Sequence, residues 1–590
     1  MPFEIKAVSV HCFRMGRRRH QGTWVRVSLL FLIIFHVVLA AEWLSLDSQP
    51  LFWDMAEHAV KVVKVQHNFS RTTPPLRGRL LSPEVRSFTE EHPTIARVVL
   101  APIAGWSNLT ESLYLGAIRP PLSYWPSALV LGSDEASTDE VAAAHGLIWL
   151  IALMMSTYLL GAALSNRPAG LLAAALVSGY PLVVGQSRVP MLDIPLAAIT
   201  VFSLWSLIRS QGFRHGAWAL VFGASVGAGL LMKQSFPIGL ALPVAWSVAP
   251  IFKQVWKNHD GLSDEIRERF RHVLHAIVAI FLVAGPWYLV NTPSTLRFLS
   301  RSREAYIVEG DPSSWTLEGL LYYPTVYWDV AMGPVLGIGA LCGLAILVFA
   351  GTRRERSTVG LSLLGLLAVY VLIYPNKDAR YIATTLPLLA IVTAGAVARI
   401  PFTLARRGVW ILLVIFALAT PVGTTRSSMI AGLTDSASLS ELDRLFEAQS
   451  FYAHRPSSEH WPADQILDSI RSHHGNNVGK ISLFIVDGSF FLPWAVSLSE
   501  DREYLQWRDD SRVQYIESRL TDGSSWGEGP FYLLVEAASS SDLVSTEQSR
   551  ARLAEMGLEF EALEAVASMG PIGDGGWANL FFYPGESTRP

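Results

Sequence analysis

Residues 142–209 read AAAHGLIWLIALMMSTYLLGAALSNRPAGLLAAALVSGYPLVVGQSRVPMLDIPLAAITVFSLWSLIR. Three apolar runs, 142–164, 169–187 and 193–209, are separated by turns that hold Arg167 and then Arg188, with Asp193 opening the third run. A helix that crosses a bilayer needs about 20 mostly apolar residues, because backbone N–H and C=O groups facing hydrocarbon find partners only within the helix itself. Consecutive runs of this length, with ionisable groups held to the turns, predict a polytopic α-helical membrane protein.

Outward from this core the same pattern recurs at 24–41, 216–232, 236–252, 272–291, 333–351, 358–374, 381–398 and 408–424, which predicts about 11 transmembrane helices in all. Composition agrees: 51% of the 590 residues are hydrophobic and 16% charged, with a mean hydropathy of +0.32. The 47 Lys and Arg nearly balance the 50 Asp and Glu, so no whole-chain field favours nucleic acid as a partner. Cys12 and Cys342 are the two cysteines, too few for a disulfide framework.

Basic residues in short loops mark the cytoplasmic side of a membrane protein. Arg17, Arg18 and Arg19 place the N-terminus there, and the loops holding Arg167, Arg209 with Arg214, Lys253 to Arg271, Arg353 with Arg354 and Arg356, and Arg399 with Arg406 and Arg407 follow on the same side. The opposite face then receives the large loop 42–141, the turn 188–193, the turn at Lys233, the segment 292–332, the turn 374–381 and the tail. The first run, with its basic flank and LAA at 39–41, also admits a cleaved signal peptide. PLSYWPSALVL, 121–131, is too short to cross and suits an interfacial helix on the outer surface.

The expected organisation is a membrane domain over 1–424 and a small extracytoplasmic α/β domain over 425–590. In the latter, helix-like stretches at 436–449, 463–474 and 546–557 alternate with strand-like ones at 481–488, 531–538 and 579–584. The tail carries no nucleophile elbow, glycine-rich phosphate loop or metal-ligand spacing.

Chemistry-bearing residues gather at the outer ends of the runs. LFWDMAEHA, 51–59, sets Asp54 and Glu57 one helical turn apart, followed by His58. Such carboxylates can take a proton from an acceptor hydroxyl or help hold a divalent metal ion, with Asp54, Glu57 and His58 as its ligands, or can form a plain acidic collar on a membrane helix. Asp193 stands at the edge of an apolar span beside Arg188, where it can serve a reaction or cap a helix. Lys233 in GLLMKQSFP and Lys377 with Arg380 and Tyr381 in YPNKDARYI are cations on the side where the positive-inside bias disfavours them. A lipid phosphate would compensate their charge; snorkelling to the headgroups is the other account. Arg119 precedes two prolines in RPPLSYW, 119–125, and Arg297, Arg301, Arg303, Tyr322, Tyr323, Tyr327 and Trp328 give 292–332 a basic, aromatic character.

In this order the fragments resemble the polytopic glycosyltransferases of the GT-C fold, in the group of dolichyl-phosphate-mannose protein mannosyltransferases and bacterial aminoarabinose transferases of lipid A. The resemblance spans roughly residues 24–400. It implies that Asp54 is the acidic residue of the first outer loop, with Glu57 beside it, and that Asp193 lines the same cavity. It also implies that Lys233, Lys377 and Arg380 lie near the carrier phosphate and that Arg119 stands before the double proline where a basic or His residue is usual; Arg188 and Tyr381, in the same outer turns, are further candidates for that phosphate. Adjacent Asp and Glu followed by Tyr are frequent in the group, whereas here Met55 and Ala56 separate the carboxylates and His58 follows.

The implied activity is transfer of a sugar from dolichyl- or undecaprenyl-phosphate to a hydroxyl or amine of a protein, lipid or glycan, with inversion, at the outer face of the plasma (inner) membrane. A transporter or lipid flippase with an outer charged gate is the rival class. Transporters frequently carry internal repeats, and none is evident here.

Overall fold

The computed structural model describes residues 3–47, 55, 58–59, 61–63, 65, 120–131, 138–257, 263–309, 311–425, 463–474, 481–486, 513–515, 531–537, 564–572 and 576–583. These fall into two compact units: one holds the chain to Trp43, the segment 120–130 and the helices from 142 to 425, and the other holds the C-terminal sheet.

In chain order the helices are α1 (Phe3–Leu46), α2 (Trp125–Val130), α3 (Thr138–Leu164), α4 (Arg167–Gly179), α5 (Pro181–Gln186), α6 (Asp193–Arg209), α7 (Gly216–Leu230), α8 (Ala241–Lys257), α9 (Asp264–Glu309) and α10 (Leu317–Val326). They continue with α11 (Gly333–Ala350), α12 (Arg353–Ile373, which includes two π-type stretches), α13 (Leu386–Ala398, entered through a 3-10 turn at Ala379–Thr385) and α14 (Thr403–Thr425). Seven of these are long and apolar enough to cross a membrane: Thr23–Leu46, Glu140–Leu164, Asp264–Leu289, Gly333–Ala350, Arg353–Ile373, Ala379–Ala398 and Thr403–Thr425. The other four expected spans are apolar helices of 17 residues or fewer. The run 169–187 breaks at Tyr180 and Pro181 into α4 and α5, 193–209 is the 17-residue α6, 216–232 the 15-residue α7, and 236–252 a 3-10 turn leading into α8.

α4 and α13 form the centre. Every residue of α4 from Ala169 to Gly179 and of α13 from Leu386 to Val397 is buried, so both helices are apolar all round because protein surrounds them. The peripheral helices instead present bulky side chains outward, among them Ile277, Phe281 and Leu282 on α9 and Ile338, Leu341 and Phe349 on α11. Such faces are costly in water and matched in lipid. Small residues let backbones approach, since lipid supplies no hydrophobic drive between helices. A Cβ on Gly179 would meet the Ala417 carbonyl of α14 at 2.1 Å, and one on Gly146 of α3 would meet the Ser187 carbonyl at 1.8 Å.

One sequence expectation takes a different form. The segment 292–332, expected as an outer loop, is not a loop throughout, because α9 runs 46 residues to Glu309, through Pro293. At 1.5 Å per residue that is about 69 Å, more than twice a hydrocarbon core of about 30 Å. PLSYWPSALVL does contain a short helix, the 6-residue α2, whose Leu129 and Val130 are exposed as an interfacial element requires.

Among the described residues the second unit contains α15 (Ala463–His474) and five strands, β1 (Ile481–Val486), β2 (Val513–Tyr515), β3 (Phe531–Ala537), β4 (Glu564–Ile572) and β5 (Gly576–Tyr583). The sheet order is β2-β1-β3-β5-β4; β1 pairs in parallel with β2 and β3, and β5 pairs antiparallel with β3 and β4. The helix is pinned to the sheet where His473 Nδ1 meets the Tyr532 hydroxyl at 2.8 Å, with Phe582 against both rings. The expected helices at 436–449 and 546–557 lie outside the described residues.

Candidate functional site

Three turns that are far apart in sequence meet at one end of the membrane unit. The first is SRVPMLD, leading into α6. Leu192 occupies the N-cap without a side-chain bond, so Asp193 is the first helical residue and its carboxylate is not used as a cap. Its Oδ1 instead accepts from Lys233 Nζ at 2.7 Å, and the side chain is 4% exposed. The helix N-terminus adds a favourable field for that negative charge.

Lys233 comes from the second turn, GLLMKQSFP, where α7 unwinds: the Leu231, Met232 and Lys233 amides donate back to Gly227, Gly229 and Gly229 carbonyls. The turn is held from two sides, by the Tyr288 hydroxyl on the Leu230 carbonyl at 3.1 Å and by the Leu122 amide on the Leu231 carbonyl at 3.1 Å. The second of these ties PLSYW to GLLMK. The α2 helix that follows PLSYW is in turn tied to SRVPMLD through α3: Ser127 Oγ meets His145 Nδ1 at 3.1 Å, and His145 Nε2 meets the Met191 carbonyl at 3.1 Å. A buried imidazole therefore links the interfacial segment to the turn that aims Asp193.

The third turn, YPNKDARYI, packs its 3-10 segment against α6. Lys233 Nζ lies 5.2 Å from the centre of the Tyr381 ring, which stacks on Tyr370 at 5.9 Å and meets Tyr374 edge-on at 5.5 Å. Arg380 also lies over Tyr381, at 5.8 Å, while its Nε reaches Asp378 Oδ2 at 2.5 Å. Asp378 Oδ1 accepts from the Arg380 amide at 2.9 Å, capping the turn. Burial pushes the Asp378 carboxyl up from its ordinary value, and Asp193 pushes the same way; Arg380 and Lys233 pull against them. Asp193, Lys233, Asp378 and Arg380 thus form one coupled group, faced with tyrosine rings.

Lys377 is engaged differently. Its ammonium donates to the Tyr370, Val371 and Tyr374 carbonyls at 2.7, 3.1 and 3.0 Å, closing the C-terminal end of α12, and it lies over the Tyr323 ring. Its amide donates to Asp311 Oδ2 at 2.8 Å. The residue is buried rather than snorkelling, and burial lowers its pKa while Asp311 raises it.

Arg188 also turns elsewhere. Its Nη2 donates to Thr424 and Thr425 hydroxyls at 2.9 and 2.8 Å and its guanidinium lies 4.9 Å over Trp43, so it joins the 188–193 turn to α14 and α1. Asp54, Glu57 and Arg119 lie outside the described residues; His58 is helical and buried. Among the described residues no group of three His, Cys, Asp or Glu could hold a metal ion, so the Asp54, Glu57 and His58 metal set rests on sequence alone.

Asp378 is the member of the group that sequence reasoning passed over. Its place between Lys377 and Arg380 in PNKDARY was the available signal, because a carboxylate flanked by two cations at the end of an apolar run has to be compensated by one of them.

Residues 85–300 match the family dolichyl-phosphate-mannose-protein mannosyltransferase, a stretch that contains Arg119, Arg188, Asp193 and Lys233. No protein of curated function matches the chain. Among solved structures, ArnT from Cupriavidus metallidurans bound to undecaprenyl phosphate is similar over 96% of this chain and 99% of its own, with 12% identity and a TM-score of 0.53. The same protein in the apo state is similar over 95% and 98%, with 12% identity and a TM-score of 0.52. The chain is an integral membrane protein with the GT-C fold seen in ArnT, an α-helical polytopic domain followed by a small C-terminal α/β domain, and its residues 85–300 are similar to the protein mannosyltransferases.

Proposed function

We propose that this protein is a membrane glycosyltransferase that moves a sugar from a polyprenyl-phosphate donor, dolichyl- or undecaprenyl-phosphate, to a hydroxyl or amine of a protein, lipid or glycan acceptor at the outer face. The observation that carries the reading is convergence: Asp193, Lys233 and Arg380, from turns separated by 40 and 147 residues, meet with Tyr381 at one end of the bundle. The family match over 85–300 and the undecaprenyl phosphate bound to the ArnT neighbour support a lipid-phosphate donor.

Lys233 and Arg380 face the donor phosphate, Arg as a paired donor and Lys as a compact charge. Asp193 already accepts from Lys233, so its role is to hold that ammonium on target. The base is then Asp54, with Glu57 one turn on, in the first outer loop. Asp54 takes the acceptor proton as the acceptor oxygen or nitrogen bonds to the anomeric carbon. The bond from that carbon to the phosphate oxygen breaks, its electron pair leaves with the polyprenyl phosphate, and the cations stabilise the charge. One displacement inverts the anomeric centre. Lys377 and Arg188 support the site, one by closing α12 and one by fixing the 188–193 turn to α14.

In proteoliposomes supplied with a radiolabelled undecaprenyl-phosphate sugar and a lipid A or peptide acceptor, wild type transfers label and Asp54→Asn loses about 10²–10⁴-fold. Label that crosses the vesicle membrane without joining an acceptor would replace the transferase by the transporter reading.

A further inference from the structure

α6 connects two differently charged ends. Asp193 opens it and Arg209 closes it, 16 residues and about 24 Å further on. At the Arg209 end lies a cavity of about 400 Å³ lined by Arg209, Arg354, Gln211, His215 and Trp218, with no carboxylate in its wall among the described residues. That volume is within the range of small-molecule sites, about 300–1,000 Å³.

Four features point to an anion. Neither Arg209 nor Arg354 has a carboxylate partner among the described residues, although the neighbouring Arg214 and Arg399 pair with Glu265 and Glu355. Two guanidiniums on one cavity repel each other unless a negative group lies between them. The Arg209 guanidinium lies over the Trp218 ring, 4.9 Å from its centre, a cation–π contact that holds it at the cavity wall. His215 caps α7 with no side-chain bond to its first amides, so the helix contributes its positive end. Finally, Gln211 and Phe213 hold φ of 51° and 66°, values that side chains rarely adopt. The loop is kept there by Phe213 burial, by Arg269 Nε on the Gly212 carbonyl at 2.9 Å and by His272 on the Phe213 carbonyl at 2.9 Å. Backbone strain held in place by neighbours is a mark of a functional loop.

We infer that this cavity is a second, non-catalytic site that binds a phosphoryl anion, either the headgroup phosphate of an anionic phospholipid or a soluble phosphate. Its lining of guanidinium pair, indole and imidazole matches that chemistry, and basic pockets between spans at the cytoplasmic face bind anionic headgroups. The inference stands independently of the transferase reading, since the residues that line it are absent from the group around Asp193.

The test is native mass spectrometry of detergent-purified protein equilibrated with equal phosphatidylglycerol and phosphatidylcholine. Wild type is expected to retain phosphatidylglycerol preferentially, and the Arg209→Gln, Arg354→Gln double variant to retain about tenfold less. Both arginines are exposed, so the fold should survive; Arg354→Gln alone, which leaves the Trp218 stack intact, is the second variant and should show an intermediate loss. Displacement of the lipid by millimolar inorganic phosphate identifies the soluble anion, and its failure to displace identifies the headgroup. Equal phosphatidylglycerol retention by wild type and both variants overturns the inference.

Discussion

Two buried carboxylates in the membrane unit each face a cation, yet their surroundings differ. Glu355 accepts from Arg399 Nη2 at 2.7 and 2.5 Å and from the Thr352 amide at 2.7 Å, while Thr352 Oγ1 takes the Glu355 amide in return. Every one of its bonds completes a local structure, the start of α12 and its tie to the end of α13. Asp193 accepts from one side chain, Lys233, contributed by another turn, and shares a field with Asp378, Arg380 and Tyr381. A closed network resists rearrangement. An open one, in which two cations and two carboxylates can trade partners, can admit a phosphate.

The sharpest way to break this comparison is to remove one charge from each. Asp193→Asn should lower transfer per folded molecule by about 10²–10³-fold, the usual cost of losing a preorganised electrostatic contact, beyond whatever melting temperature is lost by leaving Lys233 without its carboxylate. Glu355→Gln should do the reverse, destabilising by about 3 kcal/mol through an uncompensated Arg399 while transfer per folded molecule stays near wild type. Thermal denaturation and donor turnover on the same samples separate them; loss of both in both variants would abolish the distinction.

Lys377 tests the boundary between the two kinds. With its ammonium on three carbonyls, Lys377→Met should cost about 2 kcal/mol of stability and leave the KM for donor within a factor of two or three. A tenfold rise in KM at unchanged stability would instead put Lys377 on the phosphate.

The membrane class, the central helices and the three turns were legible in the sequence because a bilayer imposes length and confines ionisable groups to the ends of apolar runs. Asp193, Lys233 and Arg380 could be singled out for that reason. The direction each side chain takes was not legible. Arg188 stands five residues before Asp193, yet it reaches Thr424 and Thr425, more than 230 residues on, and such pairings depend on how helices pack. The length of α9 was hidden because the polar residues after Asn291 resemble a loop, although a helix clear of the hydrocarbon can be polar. In the tail, β4 escaped because its opening residues, EAVASM at 564–569, have helical composition, and its strand conformation comes from pairing with β5.

The smallest expected effect concerns Asp378, and its sign follows from burial. A carboxyl whose pKa is raised takes up a proton as pH falls towards that value, before an ordinary aspartate would. Protonation removes one negative charge from a group that holds Asp193, Lys233 and Arg380, frees the Arg380 guanidinium from Asp378, and leaves net positive charge for a phosphate. Donor affinity should therefore increase as pH falls and weaken as pH rises through the raised value. Asp378→Asn, which mimics the protonated form, should bind donor a few-fold more tightly at neutral pH and lose that part of the pH dependence. Titrating undecaprenyl phosphate against both proteins across the acid and neutral range decides it. Parallel pH curves would mean that Arg380 stays with Asp378 throughout, leaving Lys233 alone to meet the phosphate and making the open group as fixed as the one at Glu355.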